Sequence, residues 1–273
     1  MNKWVRGILM VVLLAVFLFS GGTVLYVQHE YKVNDALYED LAAAYVQAAP
    51  GNESAPGPGE DPEMEAVPAE DRLAAPIRVD LKALREKNPD VIGWLYCEDT
   101  PINYPVLQGP DDDYYLHRGL DGRYSIFGSL FAEAQNRPDF QDANTIIYGH
   151  HMKNGSMFAC LENWSKPEYY RQHKTMWLLT EERDYQIVLE AGYTTDAYAS
   201  VYTVFSGPGA EFDAYLAEAL ARSNFQADTA PDSGARWIVL STCAYAFDNA
   251  RYVLHGMLVP ADSAGGVPLR PEE

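Results

Sequence analysis

From Val91 onward the chain breaks into short runs rich in β-branched and aromatic residues, each closed by turn residues. The runs are Val91 to Cys97, Ile102 to Leu107, Ser129 to Phe131, Thr145 to Tyr148, Thr175 to Leu179, Tyr185 to Ala191, Ser200 to Phe205, Trp237 to Thr242 and Arg251 to Val259. Many short strands at modest spacing suggest a closed or nearly closed β barrel, so the fold class is mainly β. Two helices interrupt the series. Ser156 is placed to cap one that carries Met157, Cys160, Leu161 and Trp164 on a single face, and Phe212, Tyr215, Leu216, Ala219 and Leu220 stripe another between Glu211 and Arg222. The folded domain opens near Ile77, with a short helix around Asp80 to Asn88 that Pro89 stops.

The segments before that domain have a different character. Ile8 to Val27 is a 20-residue run without a charge, preceded by Lys3 and Arg6, long enough to cross a bilayer as a helix. The basic residues on its amino side predict a cytoplasmic amino terminus and place the bulk of the protein outside the cytoplasm. A cleaved signal peptide is the rival, since Ser20-Gly21-Gly22 supplies small residues, but Val24 to Val27 prolongs the apolar run past them and favours an uncleaved anchor. Tyr31 to Gln47 has helical character, and Ala48 to Pro76 turns to Pro, Gly, Ala and Glu with almost no large apolar side chains, which reads as a flexible spacer. The expected division is a cytoplasmic end over 1–7, an anchor over 8–27, a helical extension over 28–47, a spacer over 48–76, the folded domain over 77–260 and a disordered tail over 261–273.

A net charge of −19 without Lys and Arg clusters argues against nucleic acid as a partner. Three cysteines cannot build a disulfide framework, and the odd count leaves at least one thiol as a candidate nucleophile. Cys160, on an apolar helical face, and Cys97, in Trp94-Leu95-Tyr96-Cys97, fit the buried role that free cysteine usually has. Cys243 fits it poorly. It closes the strand Trp237 to Thr242, and Arg251 opens the next, so a hairpin brings a thiol and a guanidinium to one end of a sheet. His150 ends another apolar strand, Thr145 to Tyr148. An imidazole can take the thiol proton and return it to a departing amine, while a permanently charged Arg can stabilise an oxyanion or orient a carbonyl. His29, His117, His173 and His255 read as structural, and His151 is ambiguous on chemistry alone.

Leu240-Ser241-Thr242-Cys243, Arg251 to Gly256, Ile146 to His151 and Gly155-Ser156-Met157-Phe158 resemble the signatures of class B sortases, membrane-anchored cysteine transpeptidases of Gram-positive bacteria. The likeness extends through Asn88 to Leu95, Ile102 to Gly109 and Tyr114-Tyr115-Leu116, and so covers roughly residues 77 to 260. The resemblance implies an eight-stranded barrel with amino-terminal helices and a helix before the cysteine strand. It implies that Cys243 is the nucleophile, His150 the general acid/base, Arg251 the oxyanion or substrate stabiliser, and Ser241 a residue of the substrate-binding groove. The reaction implied cuts a sorting motif of a secreted protein, holds the new carboxyl end as a thioester and passes it to an amine of peptidoglycan or, less often, a pilin lysine. No cofactor and no metal are implied. Thr194 to Phe225 does not align residue by residue, which leaves substrate specificity open.

Rival chemistry fares worse. An L,D-transpeptidase would carry its Arg two residues after the Cys, whereas Arg251 follows Cys243 by eight. A papain-like protease has its cysteine before its histidine. An inactive peptide-binding module has no need of Cys243, His150 and Arg251 together. Metal binding is weak, because there is no Cys-x-x-Cys pair and adjacent His150-His151 cannot easily share one ion.

Overall fold

A computed structural model describes residues 3–49 and 74–261. Most of the Pro-rich stretch and the tail beyond Ala261 lie outside the described residues. The chain divides into two compact units, Met1–Leu41 and Ala42–Glu273. The first is helical, carried by α1 (Lys3–Tyr45), which holds a window of mean hydropathy 2.6 and is long and apolar enough to cross a membrane. No break separates the apolar run from the helical extension. Ser20, Gly21 and Gly22 stay within the helix, and Thr23 Oγ1 donates back to Phe19 O at 2.9 Å.

The second unit starts earlier than Ile77. Strand β1 (Val46–Ala48) pairs antiparallel with β2 (Ile77–Val79), and Ala49 N donates to Pro76 O at 2.9 Å, so the two ends of the Pro-rich stretch lie side by side. Helix α2 (Leu81–Lys87) follows as expected. Asp80 Oδ1 accepts from Ala83 N at 2.9 Å, Arg85 and Lys87 sit in the last turn where the helix dipole favours cations, and Leu81 and Leu84 are buried.

Eight strands then close a barrel. They are β3 (Val91–Tyr96), β4 (Asn103–Leu107), β5 (Leu130–Ala132), β6 (Asn144–Tyr148), β7 (Thr175–Leu179), β8 (Tyr185–Asp196), β9 (Arg236–Cys243) and β10 (Ala250–Pro260), in the circular order β10-β8-β7-β3-β4-β5-β6-β9. Their burial is near continuous, with Trp94, Trp237, Tyr252, Leu95 and Ile146 all inside, as strands covered on both faces require. A bulge at Glu190 of β8 faces the His255–Gly256 step of β10, where a Cβ on Gly256 would lie 2.3 Å from Ile187 Cγ2.

Two expectations are corrected. Ser200 to Phe205 is not a strand: Ser200–Tyr202 forms a 3-10 turn, and the chain after it spends its polar groups on Asn144. Asn144 Nδ2 donates to Thr203 O at 2.9 Å and its Oδ1 accepts from Phe205 N at 2.8 Å, so one buried amide replaces a ladder partner. Ser156 caps nothing. Its own N and Oγ bond Asn154 Oδ1, and the helical segment is a 3-10 stretch, Ala159–Ser165, leading into α3 (Pro167–Gln172). The apolar face is nevertheless the expected one, with Cys160, Leu161 and Trp164 buried. Helix α4 (Ala210–Ala221) packs Phe212, Tyr215, Leu216 and Ala219 into a cluster with Trp237, Val239 and Val253, directly ahead of β9 in the chain.

Candidate active site

Pairing places the site. β6 runs parallel to β9 and β9 antiparallel to β10, so the ends of β6 and β9 meet the start of β10 on one barrel rim. Cys243 lies opposite Arg251 in register. Because Ala244 N bonds Ala250 O at 2.9 Å, ladder alternation makes Cys243 and Arg251 a non-hydrogen-bonded pair, the closer of the two antiparallel spacings at about 4.5 Å between Cα atoms. Their side chains therefore stand on the same face. Arg251 is half-buried and donates from Nη1 to Ala250 O at 3.0 Å.

His150 arrives from the β6 side. Gly149 N donates to Ser241 O at 3.1 Å, and Thr242 Oγ1 returns a bond to Gly149 O at 2.9 Å. Only glycine fits here: a Cβ would lie 2.4 Å from Leu130 Cδ2 and 2.7 Å from Phe158 Cδ2. His150 Nε2 lies 2.7 Å from Leu116 O, and since a carbonyl only accepts, Nε2 carries the proton and Nδ1 is left as the acceptor. Burial holds His150 below the ordinary imidazole range, helped by the neighbouring charge of His117, which stacks on it at 6.0 Å, and opposed by the Leu116 carbonyl. A neutral ring near pH 7 is the form able to accept a thiol proton.

Cys243, His150, Arg251 and Ser241 line one cavity of about 320 Å³. Cys97 and Cys160 do not reach it among the described residues; both are buried, and burial pushes each thiol up to about 12. Cys243 is half-buried, the partial exposure a reactive thiol needs.

The cavity wall also holds residues that the sequence did not suggest. Tyr202 shares a 2.9 Å hydroxyl contact with Ser241 Oγ and stacks on Tyr148 at 6.0 Å. Tyr148 OH donates to Glu133 Oε2 at 2.8 Å, and Asp112, on the same wall, has its carboxyl pushed up to about 6 by burial and by the adjacent Glu133 charge. Tyr202 was hidden inside a supposed strand, and Asp112 inside the acidic run Asp111-Asp112-Asp113, which looks like ordinary solvated surface. No local signal distinguishes them.

A thiol, an imidazole and a guanidinium open onto one cavity, an arrangement chemically suited to acyl transfer through a cysteine. The comparisons agree with that class. The sortase domain family matches residues 95–259. Sortase B of Listeria monocytogenes is 33% identical over 255 residues, which covers 92% of this chain and 95% of the relative. Among solved structures, a Staphylococcus aureus sortase B–substrate complex superposes with TM-score 0.62 at 28% identity over 66% of this chain and 84% of that one. A Clostridium perfringens sortase B does so with TM-score 0.62 at 30% identity over 66% of this chain and 100% of that one. The chain belongs to the sortase family, in its class B, and is a cysteine transpeptidase by that membership.

Proposed function

We propose that this protein is a membrane-anchored transpeptidase that joins secreted proteins bearing a sorting motif to an amine of peptidoglycan. The convergence of Cys243, His150 and Arg251 on one cavity carries the reading. The solved Staphylococcus aureus relative in complex with substrate supports it. In this reading residues 8–27 form the anchor, with the amino terminus cytoplasmic, and the barrel works on the outer face.

The reaction runs in two halves. Cys243 Sγ attacks the carbonyl carbon of the scissile peptide bond as its proton passes to His150 Nδ1, and the tetrahedral oxyanion takes hydrogen bonds from the Arg251 guanidinium. Collapse breaks the C–N bond; the departing amine receives the proton from His150, and the carboxyl side stays on Cys243 as a thioester. An incoming amine then attacks the thioester, His150 removes its surplus proton, and the Cys243 thiolate leaves and takes that proton back from His150. Ser241 and Tyr202, already paired through their hydroxyls, offer the peptide a polar contact on the groove wall.

The test incubates the full chain in detergent with a library of sorting-motif peptides and a panel of amines, including cross-bridge peptides and a lysine-bearing pilin peptide. Mass spectrometry should find a thioester on Cys243 and a transfer product that names both motif and acceptor. Cleavage without adduct at Cys243, or with the adduct on Cys97 or Cys160, would overturn the mechanism.

A further inference from the structure

The rung that follows Gly149 in the β6–β9 ladder is made by a side chain. In a parallel pair the N–H donors recur every second residue, so after Gly149 N to Ser241 O the next donor to Cys243 O would be the backbone N of His151. The backbone turns away at that point. His151 bridges antiparallel to Met157, whose φ of 55° folds the chain back, and Phe158 N donates to His150 O at 3.0 Å. The alternation that pairs Cys243 with Arg251 leaves Cys243 O facing β6, and His151 Nδ1 meets it there at 2.9 Å. Since the carbonyl only accepts, Nδ1 carries the proton. Glu162 Oε2 lies 3.7 Å from the same nitrogen, and the ring meets Tyr245 edge-on at 5.2 Å, so the imidazole is held from two further sides.

We propose that His151 is a positioning residue for the nucleophile: its Nδ1–H supplies the last rung between the segment carrying His150 and the end of the strand carrying Cys243, and so sets the direction of the Cys243 backbone. The inference rests on Cys243 being the nucleophile, as proposed above. His150 and His151 then divide the work, the first facing the cavity and the second gripping the main chain of the residue that attacks. Cys243 is the last residue of β9, and without this rung its carbonyl would have no ladder partner on the β6 side. Small displacements at such a point matter, because a reacting atom misplaced by about 1 Å costs on the order of 10²-fold in rate.

The experiment compares His151→Ala, His151→Asn and His151→Gln in the full chain in detergent. Steady-state cleavage of a sorting peptide and alkylation of Cys243 by iodoacetamide, followed by mass, are the two readouts. His151→Ala should lower kcat by about tenfold or more while KM stays within about twofold, since the peptide groove is untouched. His151→Asn, whose amide N–H occupies the place of Nδ1, should recover most of the loss; His151→Gln, whose amide lies near the place of Nε2, should not. Alkylation should follow the same order. An Ala variant with wild-type kcat and alkylation, or Asn and Gln equal in effect, would overturn the assignment. If His151→Ala fails to fold, the comparison of Asn with Gln decides alone. If the wild type turns over no sorting peptide, the functional reading fails while the alkylation series still judges His151.

Discussion

The barrel rim and the barrel interior hold the same chemical groups in opposite circumstances. At the rim, Cys243 is half-buried beside a guanidinium, and His150 has one nitrogen committed to Leu116 O and the other left as an acceptor. In the interior, Cys97 and Cys160 are buried and held as thiols, and His255 stacks on Tyr193 at 5.4 Å with the Tyr215 ring tilted towards it at 5.9 Å. Among the described residues both His255 ring nitrogens lack a hydrogen-bond partner, and burial drives its pKa down to about 3. The difference in surroundings follows from the end of a strand, where the pleat opens to solvent and to neighbouring charges, and not from residue type.

The sharpest way to break that contrast is Cys243→Ala. It should remove all measurable transfer and leave the thermal midpoint close to wild type, because a half-buried strand end contributes little to the core. In the unmutated chain, a thiol reagent should modify Cys243 well before Cys97 or Cys160; simultaneous loss of all three thiols in the folded protein would erase the distinction. Arg251→Lys keeps the charge but removes the forked donor, and on the oxyanion role it should cost about 10²-fold in kcat. Near-normal turnover would assign that role elsewhere. Gly149→Ala tests how the two regions touch. The added methyl must displace Leu130 and Phe158, so it should destabilise by about 1–3 kcal/mol in denaturant unfolding and lower kcat as His150 moves.

The effect that vanishes at neutral pH lies in the interior. His255 has a folded pKa of about 3 against an ordinary 6.5, so the unfolded chain binds a proton that the folded chain refuses. Above pH 6.5 this changes nothing; as pH falls from 6.5 towards 3, stability should drop, by at most roughly 1.4 kcal/mol per pH unit from this group. Unfolding curves of His255→Phe should be flatter than wild type over that window. An unchanged slope would mean that another group governs acid unfolding.

Most of the barrel was legible because its strands are short, β-branched and bounded by turns, and seven of the nine expected runs need only one or two residues of adjustment or none. The exceptions have specific causes. Tyr185 to Ala191 continues to Asp196 because Ala191 to Asp196 pair with β10 beyond the bulge at Glu190. Ser200 to Phe205 has strand composition but bonds to the Asn144 side chain, a partner far away in the chain. The 3-10 geometry of Ala159–Ser165 keeps the same apolar face as an α-helix over so few residues, so burial pattern could not separate the two.

What the amino-acid order determined by itself was the hairpin chemistry. A thiol at the end of one strand and a guanidinium at the start of the next must share a rim, because a short loop joins them and antiparallel pairing is local. His150 is different. Its strand lies far from β9 in the chain, and only barrel closure, through the parallel pairing of β6 with β9, brings it beside Cys243. The Leu116 carbonyl that selects its tautomer, the Tyr202 hydroxyl on the groove wall and the His151 grip on Cys243 O all depend on that same long-range closure. Contacts between distant segments are set by how the whole sheet packs, and no local pattern encodes them.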